Sequence, residues 1–128
     1  MKYIIYIVIS LIVLVGIGFG ISKIPQKPGT NDDFATCIKD SGAIFYGAFW
    51  CSHCQDQKTL FGKSAKLLPY KECSTPDSKG QTKVCTDAGI KSYPTWDFPG
   101  KERQLGTLSF EKLSEFTGCK LPEVVTEK

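Results

Sequence analysis

The sequence predicts an α/β domain, a central four-stranded mixed sheet flanked by helices, behind one N-terminal transmembrane helix. Three observations lead there. Residues 3–22, YIIYIVISLIVLVGIGFGIS, carry no charge. Beyond them, amphipathic stretches and short apolar runs follow one another in the order α, β, α, β, α, β, β, α. The first apolar run ends on FWCSHCQ, where two cysteines three positions apart stand at the start of a helical stretch. A βαβ unit followed by a hairpin and a helix yields a mixed sheet with helices on both sides.

The apolar run is long enough to cross a hydrocarbon layer of about 30 Å at about 1.5 Å per residue. A cleaved signal peptide has a shorter apolar core and a small-x-small cleavage site; here only Gly18 and Gly20 approximate one. Residues 1–22 therefore read as a retained anchor. Lys2 on one side and Lys23 and Lys27 on the other leave the positive-inside comparison undecided. Six cysteines in 128 residues point to an oxidising compartment, so the domain is expected outside the cytoplasm, as a single-pass protein of the cell membrane. Residues 23–31, KIPQKPGTN, read as a stiff linker. The folded domain is expected over 32–120, with a loose polar tail over 121–128.

Composition excludes some classes. Hydrophobic residues make up 41% of the chain, enough for a core. The formal charge is +3 with no basic block, so no nucleic-acid partner is expected.

Within the domain, NDDFATCIKDSG predicts a helix capped by Asn31, with Asp32 and Asp33 at the positive end of its dipole and Gly42 as its stop. AIFYGAF, residues 43–49, is a strand buried on both faces. CSHCQDQKTLFGKSAKLL is helical from Cys51 to about Lys66, with Gly62 as a point of bending. PYKECS, residues 69–74, is a second strand, and QTKVCTDAGI a short helix. SYPTWDF and RQLGTLS form a hairpin across Pro99-Gly100, which suits a type II turn. Ser109 caps a last helix that stops at Gly118.

Cys51 thus falls where a strand ends and a helix begins. Unpaired N–H groups and a positive dipole stabilise a thiolate there, and the thiolate is the species that attacks a disulfide. Cys54, one turn on, faces the protein and is the natural resolving thiol. His53, the single histidine, can add a donor or a positive charge and tune the redox poise. Two other readings of the pair are half of a zinc site and a structural disulfide. A closed zinc site needs two further ligands, and no second C-x-x-C exists; a three-residue spacing constrains the unfolded chain weakly. No metal and no cofactor are expected.

With AIFYGAFWCSHC on a strand-to-helix turn and SYPT some forty residues later, the chain resembles thioredoxin-fold proteins over about residues 34–120. That resemblance implies a cis-proline at Pro94, preceded by Tyr93, lining a substrate groove with Trp50. YGAFWC-x-HCQ, ECSTPD, GQT-x-VC and AGIKSYPTW more closely resemble the thioredoxin-like domain fused to bacterial homologues of vitamin K epoxide reductase. The resemblance implies a thiol–disulfide oxidoreductase acting on extracytoplasmic protein thiols and disulfides as oxidant or isomerase. The quinone-linked membrane oxidoreductase that recharges it would here be a separate protein. An anchored reductase of the cytochrome-maturation type and a copper- or zinc-handling module are the alternatives. Two positions depart from the family pattern. Ser52 stands in place of the usual proline, and Phe45 in place of thioredoxin's buried aspartate. Cys37, Cys73, Cys85 and Cys119 allow three pairings; the favoured one joins Cys73 to Cys85 across the STPDSKGQ loop and Cys37 to Cys119 between the first and last helices.

Overall fold

The computed structural model describes Tyr3, Tyr6 and residues 29–123. The expected anchor, most of the linker and the end of the tail lie outside the described residues. Among the described residues no helix is long and apolar enough to cross a membrane.

The elements run α1 (Asp32–Asp40), β1 (Ile44–Gly47), α2 (Ser52–Phe61), a 3-10 segment (Gly62–Leu67), β2 (Tyr70–Glu72), α3 (Lys83–Asp87), β3 (Thr95–Asp97), β4 (Gln104–Leu105) and α4 (Phe110–Thr117). The sheet order is β2-β1-β3-β4. β1 and β2 are parallel, with Phe45 opposite Tyr70 and Gly47 opposite Glu72. β3 runs antiparallel to β1, with Phe45 opposite Trp96, and β4 returns antiparallel to β3. A mixed four-stranded sheet with helices is the predicted architecture and is compatible with a thioredoxin-like fold.

Alternation along the strands builds two cores. Phe45, Trp96 and Phe98 face one side, where they pack with Phe34 and Ile38 of α1, Phe61 of α2 and Leu113 of α4. Phe45 stacks on Trp96 with ring centroids 4.7 Å apart, and Phe34 on Phe61 at 5.9 Å. Tyr46 faces the other side with Cys73, Cys85 and Ile90. Each large apolar side chain buried in this way contributes about 1.5–3 kcal/mol.

Several local expectations change. The helix expected from Cys51 to Lys66 is α-helical only to Phe61. Gly62 adopts φ 54°, ψ −126°, which breaks the ladder, and the chain continues as 3-10 turns to Leu67. Asn31 sits at the N-cap of α1 but its side chain makes no cap bond. Its Nδ2 donates to the Leu60 carbonyl at 3.5 Å, and its backbone N–H donates to Ser64 Oγ at 3.1 Å, so the start of the domain is tied to the end of α2 instead. The strands are shorter than their apolar runs because the pairing partners, not the runs, set their lengths. At the turn before β4, Lys101 N–H donates to the Phe98 carbonyl at 3.1 Å and Gly100 has φ 70°, the geometry a type II turn requires. Ser109 Oγ accepts from Lys112 N–H at the start of α4, and Gly118 ends that helix in the left-handed region.

Candidate active site

β1 delivers the chain to a tight turn over Ala48–Cys51, where the Cys51 N–H donates to the Ala48 carbonyl at 3.0 Å. Cys51 is the N-cap of α2. Its Sγ accepts the backbone N–H of Cys54 at 3.3 Å, the bond that a serine or aspartate oxygen makes at an ordinary N-cap. The sulfur therefore occupies the anion-favouring end of the helix. Cys51 and Cys54 are free, whereas Cys37 bonds Cys119 and Cys73 bonds Cys85.

The two free sulfurs stand in different surroundings. Cys51 is 8% exposed and Cys54 fully enclosed. Burial, followed by the hydrogen bond with Cys51, pushes the Cys54 thiol up to about 12, against a smaller opposing effect of the Lys58 ammonium. Cys54 is thus held as a neutral thiol behind Cys51.

The remaining sequence-predicted residues divide into near and peripheral. Trp50 is exposed beside the dithiol; its Nε1 donates to Ser74 Oγ at 2.8 Å, and its ring meets Tyr93 edge-on with centroids 5.9 Å apart. Tyr93 precedes the buried Pro94 through a cis peptide bond, and its hydroxyl accepts from Gln81 Nε2 at 2.6 Å. Trp50, Tyr93 and Pro94 are therefore one wall, buttressed by the loop that the Cys73–Cys85 bond closes. His53 faces solvent, 71% exposed, with Nδ1 3.5 Å from Asp56 Oδ2. That carboxylate offsets part of any charge the imidazole carries, and solvent screens the rest. The His53 carbonyl accepts from Thr107 Oγ1 at 3.1 Å, joining α2 to the segment after β4.

Phe45 fills the aspartate's place with an aromatic stack, yet hydrogen-bonded polar side chains hold the dithiol turn and its helix from other positions. Gln57, one turn beyond Cys54, is fully buried. Its Nε2 donates to the Leu108 carbonyl at 3.1 Å, and its Oε1 accepts from Leu108 N–H at 2.7 Å and from Trp96 Nε1 at 3.2 Å. Glu72 lies at the end of β2. Its Oε1 accepts from the N–H groups of Phe49 and Ser74 at 3.2 and 2.8 Å, and its Oε2 accepts from the Tyr70 hydroxyl at 2.8 Å. One carboxylate thus ties the dithiol turn to β2 and the loop beyond it. Sequence reasoning missed both residues. The signal for Gln57 was a polar residue at the inward spacing of Cys54 and Phe61; for Glu72, an acid inside a strand.

Among the described residues, no group of three or more His, Cys, Asp or Glu side chains is placed to hold a metal ion. No protein-family model matches the chain. Among curated proteins the chain is similar to the thiol-disulfide oxidoreductase LTO1 of Arabidopsis thaliana, with 44% identity over 90 residues. The match covers 67% of this chain and 24% of that relative, so the chain spans about a quarter of the relative's length.

Proposed function

We propose that this chain is a thiol–disulfide oxidoreductase of thioredoxin fold, anchored by residues 3–22, with its domain outside the cytoplasm. The observation that carries the reading is the division among six cysteines. Four are paired, and the remaining two are a C-x-x-C whose first sulfur caps a helix and whose second is buried behind it. The similarity to a thiol-disulfide oxidoreductase supports it.

In the oxidising direction, a substrate thiolate attacks Cys51 Sγ of the Cys51–Cys54 disulfide. The enzyme's S–S bond breaks, a mixed disulfide forms, and Cys54 leaves as a thiolate and takes up a proton. A second substrate thiolate attacks the substrate sulfur of the mixed disulfide and expels Cys51 as a thiolate. The substrate gains a disulfide, and its two electrons stay on the dithiol until a separate quinone-linked membrane oxidoreductase removes them. Trp50, Tyr93 and Pro94 line the groove that receives the substrate chain, and His53, exposed and facing Asp56, adjusts the poise at most slightly.

The test is a matched pair of variants in exchange with a model protein disulfide. Cys51→Ser abolishes exchange, while Cys54→Ser accumulates a mixed disulfide on Cys51. Exchange by Cys51→Ser at the unaltered rate overturns the mechanism. Equilibration with glutathione then assigns direction: a potential near about −120 mV marks an oxidant, one near about −270 mV a reductant of the cytochrome-maturation kind.

A further inference from the structure

Three side chains behind the dithiol take no part in the exchange steps above: Lys58, Tyr70 and Glu72. They meet at the ring of Tyr70, which packs at Gly47, where β1 has no side chain. A Cβ built there would lie 2.8 Å from Tyr70 Cε2 and 2.9 Å from Cys54 Sγ, so the tyrosine ring edge and the buried sulfur share the space that glycine leaves. Lys58, one turn after Cys54 on α2, places Nζ 3.5 Å from the centroid of the Tyr70 ring. The hydroxyl of that ring donates to Glu72 Oε2. A cation and an anion therefore flank one ring, and the ring packs beside the sulfur that must become a thiolate.

Cys54 is fully enclosed, so nearby fixed charges weigh heavily on how often it ionises. The Lys58 cation favours the thiolate; the Glu72 carboxylate, held on the hydroxyl of the same ring, carries the opposite charge. Burial and the Glu72 hydrogen bond both push the Tyr70 hydroxyl above its usual range, so it remains a proton donor to Glu72 and is not itself a base.

We propose that Lys58 and Glu72, joined through the ring of Tyr70, are positioning residues that set the reactivity of Cys54 in the step that resolves the mixed disulfide. This rests on the dithiol reading above. In that step, the reverse of the first exchange step above, Cys54, as a thiolate, attacks the Cys51 sulfur of the mixed disulfide; the Cys51–Cys54 bond forms and the bound thiol leaves as a thiolate. Lowering the Cys54 pKa by one unit gives tenfold more thiolate, each less nucleophilic, for a net gain of about threefold.

The experiment uses the full chain carrying glutathione on Cys51 and follows glutathione release, with Cys54→Ser as the baseline. Lys58→Met slows release about threefold or more, and Lys58→Arg restores it to within about twofold of the parent. Glu72→Gln, which keeps a side chain of the same shape, speeds release by about threefold. Opposite signs distinguish charge control from a structural role. If both neutral variants slow release, or neither changes it, the proposal is overturned while the dithiol reading stands. If the parent releases glutathione no faster than Cys54→Ser, the dithiol reading itself falls and this proposal with it.

Discussion

Gln57 and Leu108 are 51 residues apart and pair reciprocally, side-chain amide to backbone amide, beneath the dithiol helix. The same Gln57 oxygen accepts from the Trp96 indole, so one buried side chain joins α2, β3 and the segment leading to α4. Gln57→Leu keeps the volume and strands three polar groups. Each buried group left without a partner costs about 1–3 kcal/mol, so the expected loss is at least about 3 kcal/mol, read as a lowered denaturation midpoint. A change below about 1 kcal/mol contradicts this account of the site's floor.

Gly47 makes a second, purely steric demand. Gly47→Ala places a methyl against Tyr70 and Cys54 at contacts shorter than side chains tolerate, and both neighbours are confined. Overpacking of this kind costs about 1–3 kcal/mol. Urea denaturation of the reduced protein checks it; an unchanged midpoint shows that the ring and the sulfur have room to yield.

The raised Cys54 pKa makes the reduced protein sensitive to alkaline pH. The folded thiol sits near about 12, above the ordinary 9.0, so the folded state holds its proton more tightly than the unfolded one. The resulting stabilisation is complete below about pH 9 and is lost as pH rises toward about 12. Thermal midpoints of the reduced protein should therefore fall more steeply above about pH 9 than those of the oxidised protein, which has no thiol at position 54. Cys54→Ala should remove the difference; parallel curves for all three forms exclude it.

The two disulfides differ in the chain they close. Cys37–Cys119 spans 82 positions and Cys73–Cys85 spans 12. Loop-closure entropy assigns them about 4.5 and about 3 kcal/mol. Alanine pairs should rank in that order in guanidinium unfolding. The shorter bond also closes the loop that holds Ser74, the partner of Trp50, so its loss should increase hydrogen exchange around Trp50 while leaving α1 protected. The reverse ranking shows that strain or residual structure outweighs loop length.

The order of elements was legible because each carries its own local signal. Phe34 and Ile38 mark the inner face of α1, Gly118 its counterpart's end in α4, and Pro99-Gly100 the hairpin turn. Strand lengths were not legible, because Gln104–Leu105 is a strand only where β3 offers it partners. The helix after Cys51 was overextended for a related reason. Lys63–Lys66 has adequate helix propensity, but Gly62 turns the chain and its contacts with α1 keep it in 3-10 form.

Two cysteines at helical spacing after a buried strand were enough for the sequence to mark a candidate pair at a helix start, because that placement is local. The surroundings of that pair depend on register. Phe45 opposite Tyr70 and Gly47 opposite Glu72 bring a tyrosine ring beside Cys54, with a carboxylate on its hydroxyl and, from the next turn of α2, a lysine over its face. Gln57 meets Leu108 across half the domain. Such contacts arise from how strands pair and helices lie on the sheet, and they have no signature in nearest-neighbour sequence. Local sequence therefore determined which two cysteines share a helix start, and only the packing of distant segments decided what encloses the second one.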